Sequence, residues 1–250
     1  MMPDIDTLAL LFLAGCVGWT ISTFSGGAGS IILLALATHV IRIAQAAPVV
    51  TVASLMASPA RIATSWRLIE WQVVRWYLPG AMLGAICGGL LLSSLPRGWI
   101  TLLIGVFLVS TPFQYRFGAR VRTFRMKLPG FVPVSIVVGL VSGLIGASSL
   151  ISLPFYLNYG LTKERLIATG AVHSLFIQLT KIATYTTVGV FGVRSLAEGA
   201  AAGAGAVLAI VGTRRLLARL QETWFRRFAV ILMLTSGALM PWNSRALLRG

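Results

Sequence analysis

Apolar residues run along this chain in eight long stretches: 7–38, 43–65, 72–95, 98–115, 130–157, 166–190, 195–213 and 224–242. The short breaks between them hold the charge, notably Arg116 to Lys127 and Arg214 to Arg227. A helix needs about 20 apolar residues to cross the hydrocarbon core of a bilayer. The pattern therefore predicts an all-α polytopic membrane protein with about eight transmembrane segments. Two stretches are unusual. Residues 7–38 carry Ser25-Gly26-Gly27-Ala28-Gly29-Ser30 in the middle, and residues 130–157 carry Gly143, Gly146-Ala147-Ser148-Ser149 and then Pro154. Each is too long for one plain helix and holds residues that break or unwind one. Each is expected to be Gly-broken, either as a re-entrant hairpin or as a single interrupted span.

The same two stretches open an internal repeat. With a shift of 120 residues, 22–64 falls on 142–184 without a gap. Ser22, Gly26, Ile31 and Leu33 meet Ser142, Gly146, Ile151 and Leu153. Val52, Ser54 and Leu55 meet Val172, Ser174 and Leu175, and Arg61-Ile62-Ala63-Thr64 meets Lys181-Ile182-Ala183-Thr184. With a shift of 124, Ala85-Ile86 and Gly88 meet Ala209-Ile210 and Gly212. The reading is a duplication with halves 1–128 and 129–250, each contributing four apolar stretches.

Composition agrees with a lipid solvent. Of 250 residues, 57% are hydrophobic, 11% are charged, and mean hydropathy is +0.87. A soluble domain keeps about a quarter of its residues charged. The net charge of +15 would suggest nucleic acid in a soluble protein, but the arginines sit in short loops between apolar segments, so no nucleic-acid partner is expected. If every stretch crossed once, the two sides would receive 9 and 11 Lys/Arg, with no bias. If the two Gly-broken stretches turn back on themselves, the halves become inverted and the split is 15 to 5, with Lys181 set inside the membrane. The positive-inside rule then favours inverted repeats with both termini outside the cytoplasm. Leu13-Ala14-Gly15-Cys16 resembles a lipoprotein cleavage box. Residues 1–10, however, carry Asp4 and Asp6 and no basic residue, unlike a secretory n-region, so Cys16 is read as part of the first helix. Cys16 and Cys87 suggest neither a metal site nor a disulfide.

Breaks inside a membrane are where chemistry is expected. The N–H groups that open a half-helix lack intrahelical partners, carry partial positive charge and suit an anion. Ser25, Gly26, Gly27, Gly29 and Ser30, with Gly146, Ser148 and Ser149, are the candidate cradle. Small residues also serve helix packing, so the case rests on two clusters at matching repeat positions. Arg61 and Lys181 match across the repeat and would draw an anion in from either side; snorkelling toward an interface is the alternative. His173 and Gln178 lie near Lys181. His173, Thr180, Lys181 and Thr184 fall on one helical face, and His173 would be either a proton carrier or a structural group. All six acids are placed at the N-terminus or in breaks, so no carboxylate relay within the hydrocarbon is expected. No catalytic constellation, metal set or cofactor motif is present, and the protein is not read as an enzyme.

The chain resembles the sulfite exporter TauE/SafE family, also called the toluene-sulfonate uptake permease family. The likeness lies in Phe24-Ser25-Gly26-Gly27-Ala28-Gly29-Ser30-Ile31 and Gly139-Leu140-Val141-Ser142-Gly143-Leu144-Ile145-Gly146. Each run is followed by an apolar segment and then an Ala/Thr/Ser-rich helix, and the small-residue helices 80–97 and 199–217 also fit. The resemblance implies a bacterial inner-membrane permease for sulfite, sulfonates or related small anions, driven by an ion gradient. The family runs further glycines where Ala147-Ser148-Ser149 stands here, and Arg61 and Lys181 are outside its motif. The partners expected are a small anion and the lipid bilayer, and a homo-oligomer is left open. The rival readings are a membrane scaffold or assembly protein, a channel, and a transporter of an unrelated solute.

Overall fold

A computed structural model describes residues 3–25, 29–41, 43–118, 125–147 and 151–216, and the structural statements below concern these. The chain forms α1 (Ile5–Ser25), α2 (Gly29–Val40), α3 (Ile43–Ser65), α4 (Trp71–Ser94) and α5 (Arg97–Gly118). The second half forms α6 (Phe131–Ile145), α7 (Leu153–Tyr159), α8 (Lys163–Thr187) and α9 (Val193–Leu216). Short 3-10 turns, Trp66–Leu68 and Leu128–Gly130, precede α4 and α6. No strand occurs among the described residues.

Six segments are long and apolar enough to cross a membrane: Ile5–Thr23, Gln45–Leu68, Trp71–Ser94, Leu128–Ile145, Glu164–Thr187 and Val193–Thr213. The apolar core of α5 is shorter, Gly98–Ser110, and the stretch 224–242 lies outside the described residues. The expectation of about eight spans thus meets six helices of spanning length. The burial pattern suits lipid. Leu83, Val106, Leu208 and Val211 are each about 60% exposed, while Ser54, His173, Lys181 and Glu198 are buried. Pro48 and Pro59 lie within α3 and Pro79 within α4, as membrane helices tolerate when neighbours re-satisfy the freed carbonyls.

Both Gly-broken stretches resolve into two helices. In the first, α2 folds back along α1. A Cβ on Gly18 would lie 3.0 Å from the Gly29 carbonyl oxygen and 3.5 Å from Leu33 N, while one on Gly29 would lie 2.9 Å from Ser22 Cβ. Neighbours on α1 fall from 22 to 18 as α2 advances from 29 to 33, so the pair is antiparallel. In the second, α6 ends at Gly146, whose φ of 98° is the left-handed conformation of a helix C-cap. The chain then returns, and the ring of Tyr159 at the end of α7 meets Phe131 at the start of α6, centroids 5.5 Å apart.

Glycine determines which long helices can meet at backbone distance. Without a hydrophobic driving force between helices in lipid, close backbone approach gives the association its packing energy. On α4, Gly80, Gly84 and Gly88 lie against residues 132–143 of α6, while Gly139 and Gly143 of α6 face Ala81 and Ala85. A Cβ on Gly84 would sit 2.1 Å from the Ile136 carbonyl oxygen. Across the molecule, Gly15 of α1 meets Ala202 of α9, and Gly205 meets the Phe12 carbonyl. The first helix of the first half, α1, is therefore packed on α9 of the second, and the first helix of the second half, α6, on α4 of the first.

Directions follow from the same contacts. Helices α4 and α6 are parallel, since Gly80, Gly84 and Gly88 meet successively later residues of α6. Helices α3 and α9 are parallel too, with Gly199 on Val49 and Val52, and Gly203 on Met56. At the start of α4 and α8, Glu70 N donates to Thr169 Oγ1 at 3.0 Å, and Arg165 pairs with Glu70 at 3.1 Å. At their far ends Gly89 meets Thr184 and Tyr185, so α4 and α8 are parallel. By contrast, Thr51 early in α3 lies beside Tyr185 late in α8, while the end of α3 leads through Trp66–Leu68 to Glu70 beside the start of α8. Helices α3 and α8 therefore run in opposite directions.

One expectation about charge is corrected. Glu198 lies inside the span Val193–Thr213 and is fully buried. Its Oε1 accepts from Arg194 Nε at 2.8 Å, one helical turn earlier, with Arg194 42% exposed. The i,i+4 spacing lets a half-exposed guanidinium escort the carboxylate below the surface, so an acid within the apolar run is tolerated.

Candidate functional site

Where α3 and α8 cross in opposite directions, an internal cavity of roughly 100 Å³ opens. That is space for several waters, or for a small oxyanion with a short apolar group. Its wall comes from both halves. Ser54, Ala57, Ser58 and Arg61 of α3 face Gly170, His173, Ser174, Ile177 and Gln178 of α8. Ser54 and Ser174, Ala57 and Ile177, and Ser58 and Gln178 are each 120 residues apart, so the repeat in sequence becomes a pairing across the cavity. Trp19 of α1, Ser30 of α2, Tyr77 of α4, Val138 and Ser142 of α6, and Tyr156 of α7 complete the wall. Both breaks border it, through Ser30 after the first and through Ala147 and Ser152 within the second.

Arg61 is the cation of this cavity. It sits on the last turns of α3, half-buried, and donates from Nη2 to Ser22 Oγ at 2.7 Å. That bond ties it to the end of α1 next to the first break. Among the described residues no carboxylate pairs with it. A guanidinium has five N–H donors, and one such bond leaves others for a ligand. Two further polar atoms in the lining lack partners: Ser54 Oγ and His173 Nε2 are buried without a hydrogen bond to the protein. A buried polar group is normally satisfied by protein, water or ligand.

His173 is held by aromatic groups. Its Nδ1 shares a short hydrogen bond with the Tyr156 hydroxyl, and its ring stacks on Tyr77 with centroids 4.1 Å apart at 11°. Tyr77 and Tyr156 are 1% and 3% exposed, and both lie beside Ser152. The bond at Nδ1 fixes the ring and leaves Nε2 as its free edge. Ser58 Oγ donates to the Ser54 carbonyl at 2.7 Å.

Lys181 is placed differently. It is wholly buried, which removes the snorkelling alternative for it, and it does not line the cavity. Its Nζ donates to the Gly146 carbonyl at 3.0 Å and to Gln178 Oε1 at 2.9 Å, and it lies 5.9 Å from the Tyr185 ring. The Gly146 carbonyl closes α6, where orphaned acceptors and the negative end of the helix dipole favour a cation. The Tyr185 hydroxyl donates to the Gly143 carbonyl one turn earlier. Lysine and tyrosine of α8 thus cap the broken end of α6.

Of the glycines and serines expected to cradle an anion, Ser30 lines the cavity. Gly29 is packed between Ser22 and Gly18, and Gly146 lies against α3, where a Cβ would be 2.8 Å from Ala47 Cα. Their missing side chains admit protein backbone at those points. Gly26, Gly27, Ser148, Ser149 and the Ser25 side chain lie outside the described residues. Arg61, His173 and Gln178 are brought together, with Lys181 behind Gln178. Sequence reasoning missed Tyr77, Tyr156, Ser54, Ser58 and Ser142. The repeat held a signal for Ser54 and Ser142, whose partners are Ser174 and Ser22. For the tyrosines the only signal was a hydroxyl inside an apolar run.

No carboxylate lines the cavity among the described residues, and no group of three or more metal-ligating side chains occurs among them. What the lining can do chemically is donate hydrogen bonds beside one fixed positive charge. A model of the family described as Sulfite exporter TauE/SafE matches residues 11–240. No curated protein and no solved structure matches the chain.

Proposed function

The chain belongs to the sulfite exporter TauE/SafE family, and from that premise we propose that it is a secondary transporter of a small anion, a sulfur oxyanion or sulfonate, coupled to an ion gradient. The observation that carries this reading is the cavity between α3 and α8, with Arg61 in its wall and no acidic side chain among its described lining. A cation substrate would meet a positive charge there and no countercharge. The binding groups in this reading are Arg61, Ser30, Ser54, Gln178 and His173. Lys181, Gly29 and Gly146 hold the breaks in place. In this reading Ser25, Gly26, Gly27, Ser148 and Ser149, which lie in the two Gly-broken stretches of the sequence, remain proposed anion contacts.

The architecture proposed is two inverted repeats, 1–128 and 129–250, in the inner membrane of a bacterium, with both termini outside the cytoplasm and about eight crossings. The opposed run of α3 and α8, the hairpin that opens each half and the 15-to-5 split of basic residues support it. Substrate bound where repeats meet near the bilayer centre is the usual plan of such transporters. The test is flux into proteoliposomes. Sulfite or a small sulfonate should cross with saturable kinetics under an imposed proton or sodium gradient, and Arg61→Gln should reduce the rate at least tenfold. No flux above empty liposomes would leave the scaffold reading standing, and flux that neither saturates nor follows a gradient would favour a channel.

A further inference from the structure

We propose that the cavity selects a singly charged oxyanion over a doubly charged one, with Arg61 as the group that reads the charge. The inference rests on the anion reading of the same cavity and adds a rule for which anions it takes.

The argument is a count of charges and donors. The ionisable side chains in the described lining are Arg61, His173, Tyr77 and Tyr156. Arg61 is the one permanently charged group among them; the Tyr156 hydroxyl is engaged with His173 Nδ1, and with that imidazole neutral one formal positive charge faces the cavity. Lys181 would be a second, but its Nζ is committed to Gly146 and Gln178 and lies outside the lining. A monoanion brings the local charge to zero. A dianion leaves one negative charge without a countercharge among largely buried groups, where an uncompensated charge is costly. Phrased as specificity, the second charge is a penalty built against the wrong ligand.

The donors suit three oxygens around one atom. Arg61 offers N–H groups beyond the one given to Ser22, and Ser54 Oγ and His173 Nε2 stand unpartnered. Because Lys181 holds the Oε1 of Gln178, the NH2 end of that amide is the end left for another partner. Beside its serines the wall also carries Trp19, Ala57, Val138 and Ile177, which give it apolar surface. It fits a short hydrocarbon substituent better than a fourth oxygen.

The experiment is isothermal titration of the purified full-length protein in detergent with methanesulfonate and with sulfate, at matched ionic strength. Methanesulfonate should bind at least tenfold more tightly than sulfate. Arg61→Lys, which keeps the charge, should keep that order, and Arg61→Gln should lose methanesulfonate binding. Sulfate binding as tightly as methanesulfonate, with both lost in Arg61→Gln, would overturn the charge rule and leave the anion site standing. No binding of either anion by the wild-type protein would overturn the anion reading itself.

Discussion

Arg61 and Lys181 stand 120 residues apart on α3 and α8, and the structure uses them in opposite ways. Arg61 is half-buried, faces the cavity and gives one hydrogen bond to a hydroxyl. Lys181 is fully buried, faces away and gives two hydrogen bonds, one of them to the carbonyl that ends α6. The difference follows from their side chains. A guanidinium spreads its donors around a plane and can serve a protein partner and a ligand together. An ammonium is a compact charge with three donors, and here two of them go to the Gly146 carbonyl and Gln178 Oε1 while the group lies 5.9 Å from the Tyr185 ring. The two matched positions thus place one cation in the cavity wall and the other against the end of α6. Matching residues across a repeat therefore marks important positions without assigning their roles.

The comparison is most directly broken at Lys181. Lys181→Ala removes three buried methylenes, each contributing about 0.8 kcal/mol, with the ammonium, and strands two acceptors at about 1–3 kcal/mol. With partial relaxation the expected loss is roughly 3–5 kcal/mol, read as a large fall in unfolding temperature in detergent. A variant that melts like wild type but loses transport would make Lys181 a ligand contact after all. Gly146→Ala attacks the other end of the pin. It combines a left-handed backbone with a Cβ 2.8 Å from Ala47 Cα, and should lower stability by about 1–3 kcal/mol.

Arg61→Gln should do the reverse, leaving the melting temperature within a few degrees of wild type while transport falls at least tenfold. A stability loss as large as that of Lys181→Ala would erase the contrast. The smallest effect is expected from Ser22→Ala, which removes the hydroxyl that holds Arg61 in place. It should cost about 1 kcal/mol or less and change transport a few-fold, through the apparent affinity for the anion. A change in maximal rate at unaltered affinity would mean that Ser22 does not position Arg61.

Much of this arrangement was legible beforehand, for identifiable reasons. The spans were readable because lipid allows few alternatives to an apolar helix, and both breaks because glycine and serine interrupt runs that are too long. His173, Gln178 and Lys181 were readable as interior groups because any polar residue in such a helix is costly. What was hidden depended on side-chain direction. Residues 178 and 181 are three apart on one helix, yet only Gln178 reaches the cavity, and it does so with Lys181 behind it. Tyr77 and Tyr156 come from different halves and meet at His173 only through the return of α7 beside α6. Glu198 looked like a loop acid because its escort, Arg194, lies four residues away at the same apolar boundary. Gly29 and Gly146 read equally well as ligand cradle or packing, and only the structure shows how close α1 and α3 come to them.

The exchange of glycine-lined partners also bears on how the protein is made. Gly15 on α1 waits for Ala202 on α9, and Gly84 on α4 waits for Ile136 on α6, so the first half emerges from the ribosome with both of its close-packed faces unmatched. A fragment ending at residue 128 holds neither seam, and one beginning at 129 holds neither as well. Two such fragments expressed together could rebuild the protein only by finding each other in the membrane. Synthesis as one chain keeps the second half within reach of the first, so the loop joining the halves is an assembly device as well as a connector.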